Sequence, residues 1–392
     1  MPETLPAAPW TRREDLAELV AALGANEQGG NARYVGGAVR DTWLGFEASD
    51  IDIATPLDPV EAIARLDAAG IRSVPTGLKH GTITAIREGG NVEITTLRRD
   101  VATDGRHAEV AFSHDWKEDA ARRDFTINAL YADPATLEVF DWFGGLADLR
   151  ARRVRFIGDA RQRIREDHLR ILRYFRFQAR FGSQPADEEA EQACAELAPT
   201  LKGLSRERIG WELQNLLALP DPAPTVARMA ELGVLAVVLP EADSQALARL
   251  VAAEAREGIA PEPVRRLAAL LPPDAAAAEQ VAARLRLSIA QKKRLVLAAR
   301  RASDEGDPRA LAYRIGCEAA IDRLLLTGQE AAPLRGWQAP KFPLKGGAIV
   351  ARGVAAGPEV ARILRAVEAE WIAEGFPGDE RVAALLDRQL AE

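Results

Sequence analysis

Residues 34–53 constrain the fold of this 392-residue chain more than any other stretch. They read YVGGAVRDTWLGFEASDIDI, which predicts a short strand, a tight glycine turn, a helix and a second strand carrying two acids. Alternate side chains of a strand share a face, so Asp50 and Asp52 are expected to point the same way, about 7 Å apart. Two such carboxylates repel each other unless a cation offsets their charge. The pattern therefore predicts a divalent-metal site, for which Mg²⁺ is the natural candidate.

The glycine pair adds a second half to this site. Gly36 and Gly37 permit close backbone approach, and the N–H groups at the start of the following helix are suited to a triphosphate. Arg40 adds a forked cationic donor, which Asp41 is placed to hold. A bare Gly-Gly turn or a single Asp-x-Asp is usually structural. Their combination within residues 34–53 favours a nucleotide-binding site.

The chain changes character near residue 150. Before that point, strand and helix signals alternate; after it, Ala, Leu, Arg and Glu recur at helical spacing between breaks rich in proline and glycine. We predict an α+β fold, with a small mixed sheet backed by helices at the N-terminal end and an all-helical remainder. The predicted strands are 33–35, 49–54, 81–87 and 92–97, the last two as a hairpin, and the predicted helices are 12–23, 59–69 and 119–130.

Composition excludes some functional classes. The chain is 47% hydrophobic and 28% charged, as in soluble globular proteins, and it has no apolar run of the roughly 20 residues that a membrane helix needs. Without a signal-peptide pattern, a cytoplasmic location is expected. A net charge of -7 argues against indiscriminate coating of nucleic acid. Residues 150–180 nevertheless contain eleven arginines against three acids, which is either a solvated helix face or a surface for phosphates or bases.

Glu93 is the candidate for a third carboxylate. It lies on the predicted strand 92–97, on the same face as Thr95 and Leu97. An acid on a half-buried strand is costly unless it is paired or bound to a metal. Exposure at a sheet edge is the alternative. Because two-metal nucleotidyl transfer often needs a third acid, we predict that Glu93 is catalytic.

The predicted helix 119–130 carries another polar cluster. Asp124 and Asn128 lie four residues apart on one face, where they could bind ribose hydroxyls, and Arg123 is available for phosphate. The alternative is an ordinary helix with an internal Arg–Asp pair.

A further helix is predicted at residues 165–177, where Asp167 and Arg170 are neighbours and Arg173 and Arg176 continue the row. An Asp–Arg couple can read a nucleobase edge. The arginine donates to a ring nitrogen and the aspartate accepts from an exocyclic amine, a pattern that cytosine and adenine share and that uracil and guanine lack. Local sequence alone favours an intrahelical salt bridge instead, so both interpretations stay open.

Taken in order, these motifs resemble those of the class II CCA-adding enzymes, bacterial-type tRNA nucleotidyltransferases of the polymerase-beta-like superfamily. The resemblance runs from about residue 34 to residue 212. It is carried by GGAVRD at 36–41, DID at 50–52, RRDFTINA at 122–129, DWFGG at 141–145, EDxxR at 166–170 and SRERI at 205–209.

The resemblance implies a polymerase-beta-like head at 1–148, a helical neck at 149–216, a helical body at 217–332 and a helical tail at 333–392. It also implies roles for the candidate residues. Two Mg²⁺ ions would bind at Asp50 and Asp52, beside the catalytic Glu93. Ribose selection would fall to Arg123, Asp124 and Asn128, and protein-templated base choice to Asp167, Arg170, Arg173 and Arg176.

The implied reaction adds C, C and A to the tRNA 3′ end from CTP and ATP, without a nucleic-acid template. The tRNA would be gripped at its acceptor arm and elbow; no membrane and no obligate protein partner is expected.

Close alternatives are a poly(A) polymerase and a partial enzyme that adds only CC or only A. Residues 98–112 resemble the mobile loop that A addition requires, with Asp104, Gly105 and Arg106 in its polar part. A poly(A) polymerase would be expected to carry a long basic C-terminal extension, whereas this sequence ends in a predicted acidic helix. Full CCA addition is therefore expected. A non-catalytic RNA-binding protein is disfavoured by the acids Asp50, Asp52 and Glu93, which would be a liability beside RNA without a metal.

Overall fold

The computed structural model describes residues 2–27, 29–48, 50–103, 108–303 and 306–391. The chain forms two compact units, Met1–Pro240 and Glu241–Glu392. In the described residues, all strands of the two sheets lie in the first unit. The predicted α+β class is confirmed. The four-part division into head, neck, body and tail is finer than this two-unit division and stays a prediction.

One mixed sheet organises the first unit. Among the described residues, seven strands form it in the order β3-β4-β5-β2-β1-β8-β9, and β6 pairs with β7 as a separate hairpin. Adjacent strands run antiparallel except for β2 and β5, which are parallel. The strands are β1 (Arg33–Val35), β2 (Asp52–Thr55), β3 (Ser73–Gly77), β4 (Thr82–Ala85), β5 (Val92–Thr96), β6 (Arg98–Thr103), β7 (Ala108–Phe112), β8 (Leu130–Ala132) and β9 (Val139–Asp141).

Helices make up the rest of the first unit and most of the second. Those of the first unit are α1 (Glu14–Ala22), α2 (Gly37–Trp43), α3 (Pro59–Ala68), α4 (Trp116–Ala121), α5 (Gly145–Arg150), α6 (Ala160–Glu166), α7 (Arg170–Phe181), α8 (Glu188–Leu197), α9 (Arg206–Leu217), α10 (Ala223–Glu231) and α11 (Val234–Val238). Those of the second are α12 (Gln245–Glu257), α13 (Pro263–Leu270), α14 (Ala275–Arg284), α15 (Ile289–Ala299), α16 (Pro308–Ile315), α17 (Cys317–Leu326), α18 (Gly346–Val350), α19 (Pro358–Ala373) and α20 (Asp379–Ala391). No helix of the described residues is long and apolar enough to span a membrane.

An aromatic cluster packs α7 against the segment that precedes β8. The ring centroids of Phe125 and Phe156 are 4.9 Å apart, and those of Phe125 and Phe177 are 5.1 Å apart. Tyr174 stacks on Phe156 with a centroid distance of 5.8 Å. Aromatic burial of this size contributes strongly to packing. As a result, the arginines of α7 lie close to residues 123–128.

The predicted helix 119–130 is wrong. Helix α4 ends at Ala121, and Thr126–Asn128 forms a single 3₁₀ turn before β8. The backbone between them pairs with a distant segment: Thr126 N–H donates to the Arg155 carbonyl, and Ile157 N–H donates to the Asp124 carbonyl, both at 3.1 Å. These bonds replace the i→i−4 bonds of a helix, and helical periodicity in the sequence does not reveal them.

We expect Gly145→Ala to destabilise the first unit by about 2–3 kcal/mol, the upper part of the usual range for overpacking a closely packed site. Gly145 begins α5, and a Cβ there would lie 2.3 Å from the carbonyl oxygen of Thr126. Urea unfolding of the purified variant would measure the loss. The matched control is Gly347→Ala, also in the first turn of a helix, where a Cβ meets no atom within 4 Å. Equal stability of the two variants would contradict the expectation.

Candidate active site

Two carboxylates meet near the centre of the sheet. The parallel pairing of β2 with β5 places Asp52 directly beside Glu93. Along β5, Val92 and Ile94 are buried whereas Glu93 is exposed, so Glu93 projects away from the core that these two residues enter. Register partners on neighbouring strands point to the same face of a sheet. The structure therefore brings together Asp52 and Glu93, which are far apart in sequence.

Asp50 lies outside the strand. The predicted strand 49–54 is wrong at its start, because β2 begins at Asp52. Asp50 is exposed in the preceding segment, so strand alternation does not fix its direction. It still lies close enough to Asp52 to raise the pKa of that carboxyl.

The negative charges of Asp50, Asp52 and Glu93 favour binding of a cation next to Asp52. The pKa of Asp52 is raised to about 6, chiefly by burial and then by the negative charge of Glu93, while Arg123 opposes the shift. In the part of the chain that the structure describes, no set of three or more His, Cys, Asp or Glu residues is arranged as a complete metal site. The neighbouring carboxylates of Asp52 and Glu93 are a donor set suited to Mg²⁺, which proteins commonly bind through one or two carboxylates together with substrate phosphates and water.

The glycine turn forms one wall of the site. Gly36 has φ of 70°, a conformation that favours glycine, and Gly37 begins α2. A Cβ on Gly36 would lie 3.3 Å from Nη1 of Arg123. Glycine therefore allows the turn to approach the guanidinium of Arg123 closely.

Arg40 is held firmly in this wall. Only 7% of it is exposed, its Nε donates to Asp41 Oδ1 at 2.7 Å, and its Nη1 donates to Asn128 Oδ1 at 2.5 Å. Its guanidinium also lies over the ring of Phe181, 4.2 Å from the centroid. Burial lowers the pKa of Arg40, although Asp41 opposes this. The expected contact between Asp41 and Arg40 is present.

Asp124 and Asn128 are in direct contact even though no helix joins them. Asn128 Nδ2 donates to Asp124 Oδ1 at 2.9 Å, and Arg173 donates to Asp124 Oδ2 through Nε at 2.8 Å and Nη2 at 2.6 Å. Burial raises the pKa of Asp124, but Arg173 and Asn128 outweigh it, so the pKa falls to about 2. A continuous network of side-chain hydrogen bonds thus links Arg173, Asp124, Asn128 and Arg40.

Hydrogen bonds to Tyr131 of β8 and Asp119 of α4 fix the side chain of Arg123. Its Nε donates to the hydroxyl of Tyr131 and its Nη2 donates to Asp119 Oδ2, both at 3.1 Å. The Tyr131 hydroxyl in turn donates to Asp119 at 2.5 Å. The side chain of Arg123 remains 23% exposed. A fixed and partly exposed cation of this kind is suited to binding an anionic substrate.

Asp167 and Arg170 do not form the predicted helical pair. Asp167 follows the end of α6, and its Oδ2 accepts a 2.7 Å bond from Nη2 of Arg208. Arg170 begins α7 and donates instead to Glu166 Oε2 at 2.6 Å and to the carbonyls of Arg163 and Arg122. The interpretation as an intrahelical Asp167–Arg170 salt bridge is therefore wrong. Each of the two side chains is oriented by a different partner.

The arginine row of α7 is balanced by acids from other parts of the chain. Arg173 pairs with Asp124, Arg180 with Asp41, and Arg176 with the buried Glu212 through a 2.6 Å Nε–Oε2 bond. The excess positive charge of residues 150–180 is thus partly compensated within the fold. The interpretation as a solvated helix face does not describe these side chains, because they make specific contacts.

A cleft of about 400 Å³ collects most of the predicted site residues. Asp50, Glu93 and Arg176 are outside its lining, although Glu93 adjoins Asp52. The predicted loop residues Asp104, Gly105 and Arg106 lie outside the described residues. The lining consists of Gly36, Gly37, Arg40, Asp52, Arg122, Arg123, Asp124, Asn128, Asp167, Arg170, Arg173 and Phe177.

Three residues of the site were not predicted from the sequence. Arg122 and Phe177 line the cleft, and Arg208 holds Asp167. Two of them had a usable signal, because Arg122 and Arg208 occur in the motifs at 122–129 and 205–209. Phe177 follows Arg173 at four-residue spacing, which places both on one helix face.

Two family models match the chain. The model described as "Poly A polymerase head domain" matches residues 32–155, and the one described as "Probable RNA and SrmB- binding site of polymerase A" matches residues 186–246. The first match contains Gly36, Asp52 and Asn128. The second contains Arg208.

Relatives are similar over most of the chain. The protein is 37% identical over 366 residues to CCA tRNA nucleotidyltransferase 1, mitochondrial, of Mus musculus, covering 88% of this chain and 83% of the relative. The Bacillus stearothermophilus CCA-adding enzyme in complex with CTP superposes with a TM-score of 0.75 at 28% identity, covering 97% of this chain and 98% of that one. The Thermotoga maritima CCA-adding enzyme complexed with tRNA_CCA shares the fold, with a TM-score of 0.71 at 20% identity and coverage of 96% and 94%.

Proposed function

The chain belongs to the family of class II CCA-adding enzymes, which are tRNA nucleotidyltransferases, and we propose that it adds C, C and A in turn to the 3′ end of tRNA from CTP and ATP. No nucleic-acid template is needed. The tRNA 3′-hydroxyl attacks the α-phosphate of the nucleotide and pyrophosphate leaves. One observation carries the proposal: a single cleft is lined by Asp52, from the sheet, and by Asp167 and Arg170, from the helical part. Transfer and base choice can therefore occur in one place.

Two Mg²⁺ ions are proposed at Asp50 and Asp52, with Glu93 as the third catalytic acid. When bound, these ions would lower the pKa of the attacking hydroxyl and neutralise charge on the leaving pyrophosphate. The raised pKa of Asp52 and the neighbouring charge of Glu93 support a cation at this place.

The glycine turn and the fixed arginines would position the nucleotide. Gly36, Gly37 and Arg40 are proposed to bind the triphosphate, and Arg123, Asp124 and Asn128 to select the ribose. Because Arg40 and Asp124 are both bonded to Asn128, the two groups are held in one geometry before the substrate arrives. Such preorganisation reduces the entropy lost when the reacting atoms are aligned.

Asp167 and Arg170 are proposed to read the base. Arg170 would donate to N3 of cytosine or N1 of adenine, and Asp167 would accept from the exocyclic amine. The contacts to Arg208 and Glu166 support this role, because they orient the two side chains independently. Arg173 and Arg176 are also proposed to contribute to base selection, by fixing the helix that carries Arg170 through their contacts with Asp124 and Glu212.

The helical regions are proposed to grip the tRNA by its shape and phosphates, without reading its sequence. In this scheme the head is 1–148, the neck 149–216, the body 217–332 and the tail 333–392, and the tail contacts the tRNA elbow. A cytoplasmic location is also proposed, on the basis of composition. Cell fractionation would test it, since the relative in Mus musculus is named as mitochondrial.

The function can be tested with three tRNA substrates, ending at the discriminator base, at C and at CC. We expect CTP alone to extend the first two as far as CC, and ATP alone to extend only the third, by one residue. Gel analysis of end-labelled tRNA resolves these products. Long A tails on any RNA would instead indicate a poly(A) polymerase, and failure of the CC substrate to accept A would indicate a partial enzyme. No addition to any substrate would favour a non-catalytic RNA-binding protein.

A further inference from the structure

A large aromatic side chain stands in solvent next to the cleft. Trp211, on α9, is 57% exposed, whereas its neighbours Gly210 and Glu212 are buried. The helix packs inward through other residues, including Ile209 and Leu213. Trp211 is therefore not needed to fill the core. Exposed tryptophans of this kind are typical of contact surfaces, because the indole offers a large apolar face that water solvates poorly.

The contacts of Trp211 place it at the edge of the proposed active site. Its ring centroid is 5.6 Å from the guanidinium carbon of Arg176, which also lies 4.8 Å from the ring centroid of Phe177. Phe177 lines the cleft. One helical turn before Trp211, Arg208 donates to the cleft residue Asp167. Trp211 thus contacts Arg176, which lies beside the cleft residue Phe177, and is one helical turn from Arg208, which holds the cleft residue Asp167.

The surroundings favour RNA as the partner. Arg176 holds one side of the indole and is itself fixed by Glu212, so the ring is pre-oriented at little further entropic cost. Arg208, with 38% of its side chain exposed, offers a cation to a phosphate close to the ring. An aromatic ring backed by arginine is the usual platform for an unstacked base. Residue 211 also lies within the range matched by the RNA-binding family model.

We propose that Trp211 stacks on an unpaired base of the tRNA 3′ end and guides that end into the cleft. This inference rests on the proposed function, since it takes tRNA as the substrate. It adds a specific residue that holds the strand being extended, separate from the residues that hold the incoming nucleotide. Any base can stack on the indole, so the platform suits a strand whose terminal nucleotide changes at each addition.

The test is tRNA binding in the absence of nucleotide and metal, measured by filter binding with a tRNA ending at C. Trp211→Ala is expected to raise the Kd about tenfold, a typical loss for one stacked base. Trp211→Phe, which keeps an aromatic face, is expected to bind within about threefold of wild type. The matched control is Val60→Ala, at a 75% exposed apolar residue of α3, outside the helical regions proposed to grip the tRNA, which is expected to bind as wild type does.

A second substrate identifies what the indole contacts. With a tRNA trimmed so that its acceptor stem is blunt, wild type and Trp211→Ala should bind equally, because no unpaired base remains. In steady-state addition, Trp211→Ala should raise KM for tRNA and leave KM for CTP unchanged. The proposal is overturned if Trp211→Ala binds the C-ending tRNA as tightly as wild type does, or if the substitution weakens binding of the blunt tRNA by the same factor as binding of the C-ending tRNA. It is also overturned if light scattering shows that the indole instead joins two copies of the chain. Because these binding assays involve no chemistry, wild type that binds tRNA but adds no nucleotide would contradict only the proposed function.

Discussion

Asp52→Asn is expected to lower kcat for nucleotide addition by about 10³-fold, the largest effect of any single change. Asp52 is half-buried beside Glu93, and the Asn variant replaces the charged ligand of the proposed metal site with a neutral amide. Metal ions supply several kcal/mol of transition-state stabilisation, and each ~1.4 kcal/mol corresponds to a factor of ten in rate. Single-turnover addition of C to tRNA, at saturating CTP and Mg²⁺, measures the change.

Two comparisons separate lost chemistry from lost structure. Glu88→Gln removes an exposed carboxylate from the turn between β4 and β5 and should retain full activity. Binding of CTP without metal, followed by calorimetry, should not be weakened by Asp52→Asn, because the amide removes a negative charge near the triphosphate. If Asp52→Asn kept its rate within about tenfold of wild type, the proposed metal role of this residue would be wrong.

Asp167→Ala is expected to relax nucleotide choice, with the preference for CTP over UTP falling about 100-fold. In the wild-type protein a carboxylate would face the carbonyl of uracil, and a site built on hydrogen bonds discriminates strongly against a base that cannot complete them. The variant removes this repulsion as well as the bond to cytosine. The ratio of kcat/KM for CTP and UTP on a tRNA ending at the discriminator base is the measurement.

Asp167→Asn gives a second test of base selection. The amide of the new side chain can donate to the uracil carbonyl, so this variant should use UTP better than Asp167→Ala does. The control in the same helical region is Glu196→Gln, which breaks the surface pair with Arg161 and should leave selectivity unchanged. The concentration of Mg²⁺ needed for half-maximal rate should not change in Asp167→Ala. Unchanged selectivity in both Asp167 variants would remove these side chains from base choice.

Local patterns predicted the elements whose determinants are local. Strand 33–35 matches β1 in full, and the helix predicted at 59–69 matches α3 to within one residue, where Asp58 caps the helix by accepting from two backbone N–H groups. The strand predicted at 92–97 matches β5 to within one residue, and Glu93 lies on the face opposite to the buried Val92 and Ile94. The glycine turn likewise has the positive φ at Gly36 that its sequence suggests.

Local sequence patterns could not predict contacts between residues that are far apart in the sequence. Arg173 is 49 residues from its partner Asp124, and Arg40 is 88 residues from Asn128. For the same reason the arginine row of α7 looked strongly basic, because the acids that balance it lie elsewhere. The helix predicted over 119–130 failed because its backbone bonds to residues 155–157. Motif order grouped residues that the fold brings into one cleft, but only the fold defines which side chain contacts which.

The 3′-end sequence of the product tests the central claim most directly. A tRNA ending at the discriminator base would be incubated with Mg²⁺ and all four nucleoside triphosphates, and the 3′ ends then sequenced. If one cleft both transfers nucleotides and selects bases, the products will end in CCA and extend no further. Ends that contain U or G, tracts of A, or a halt at CC would contradict this account.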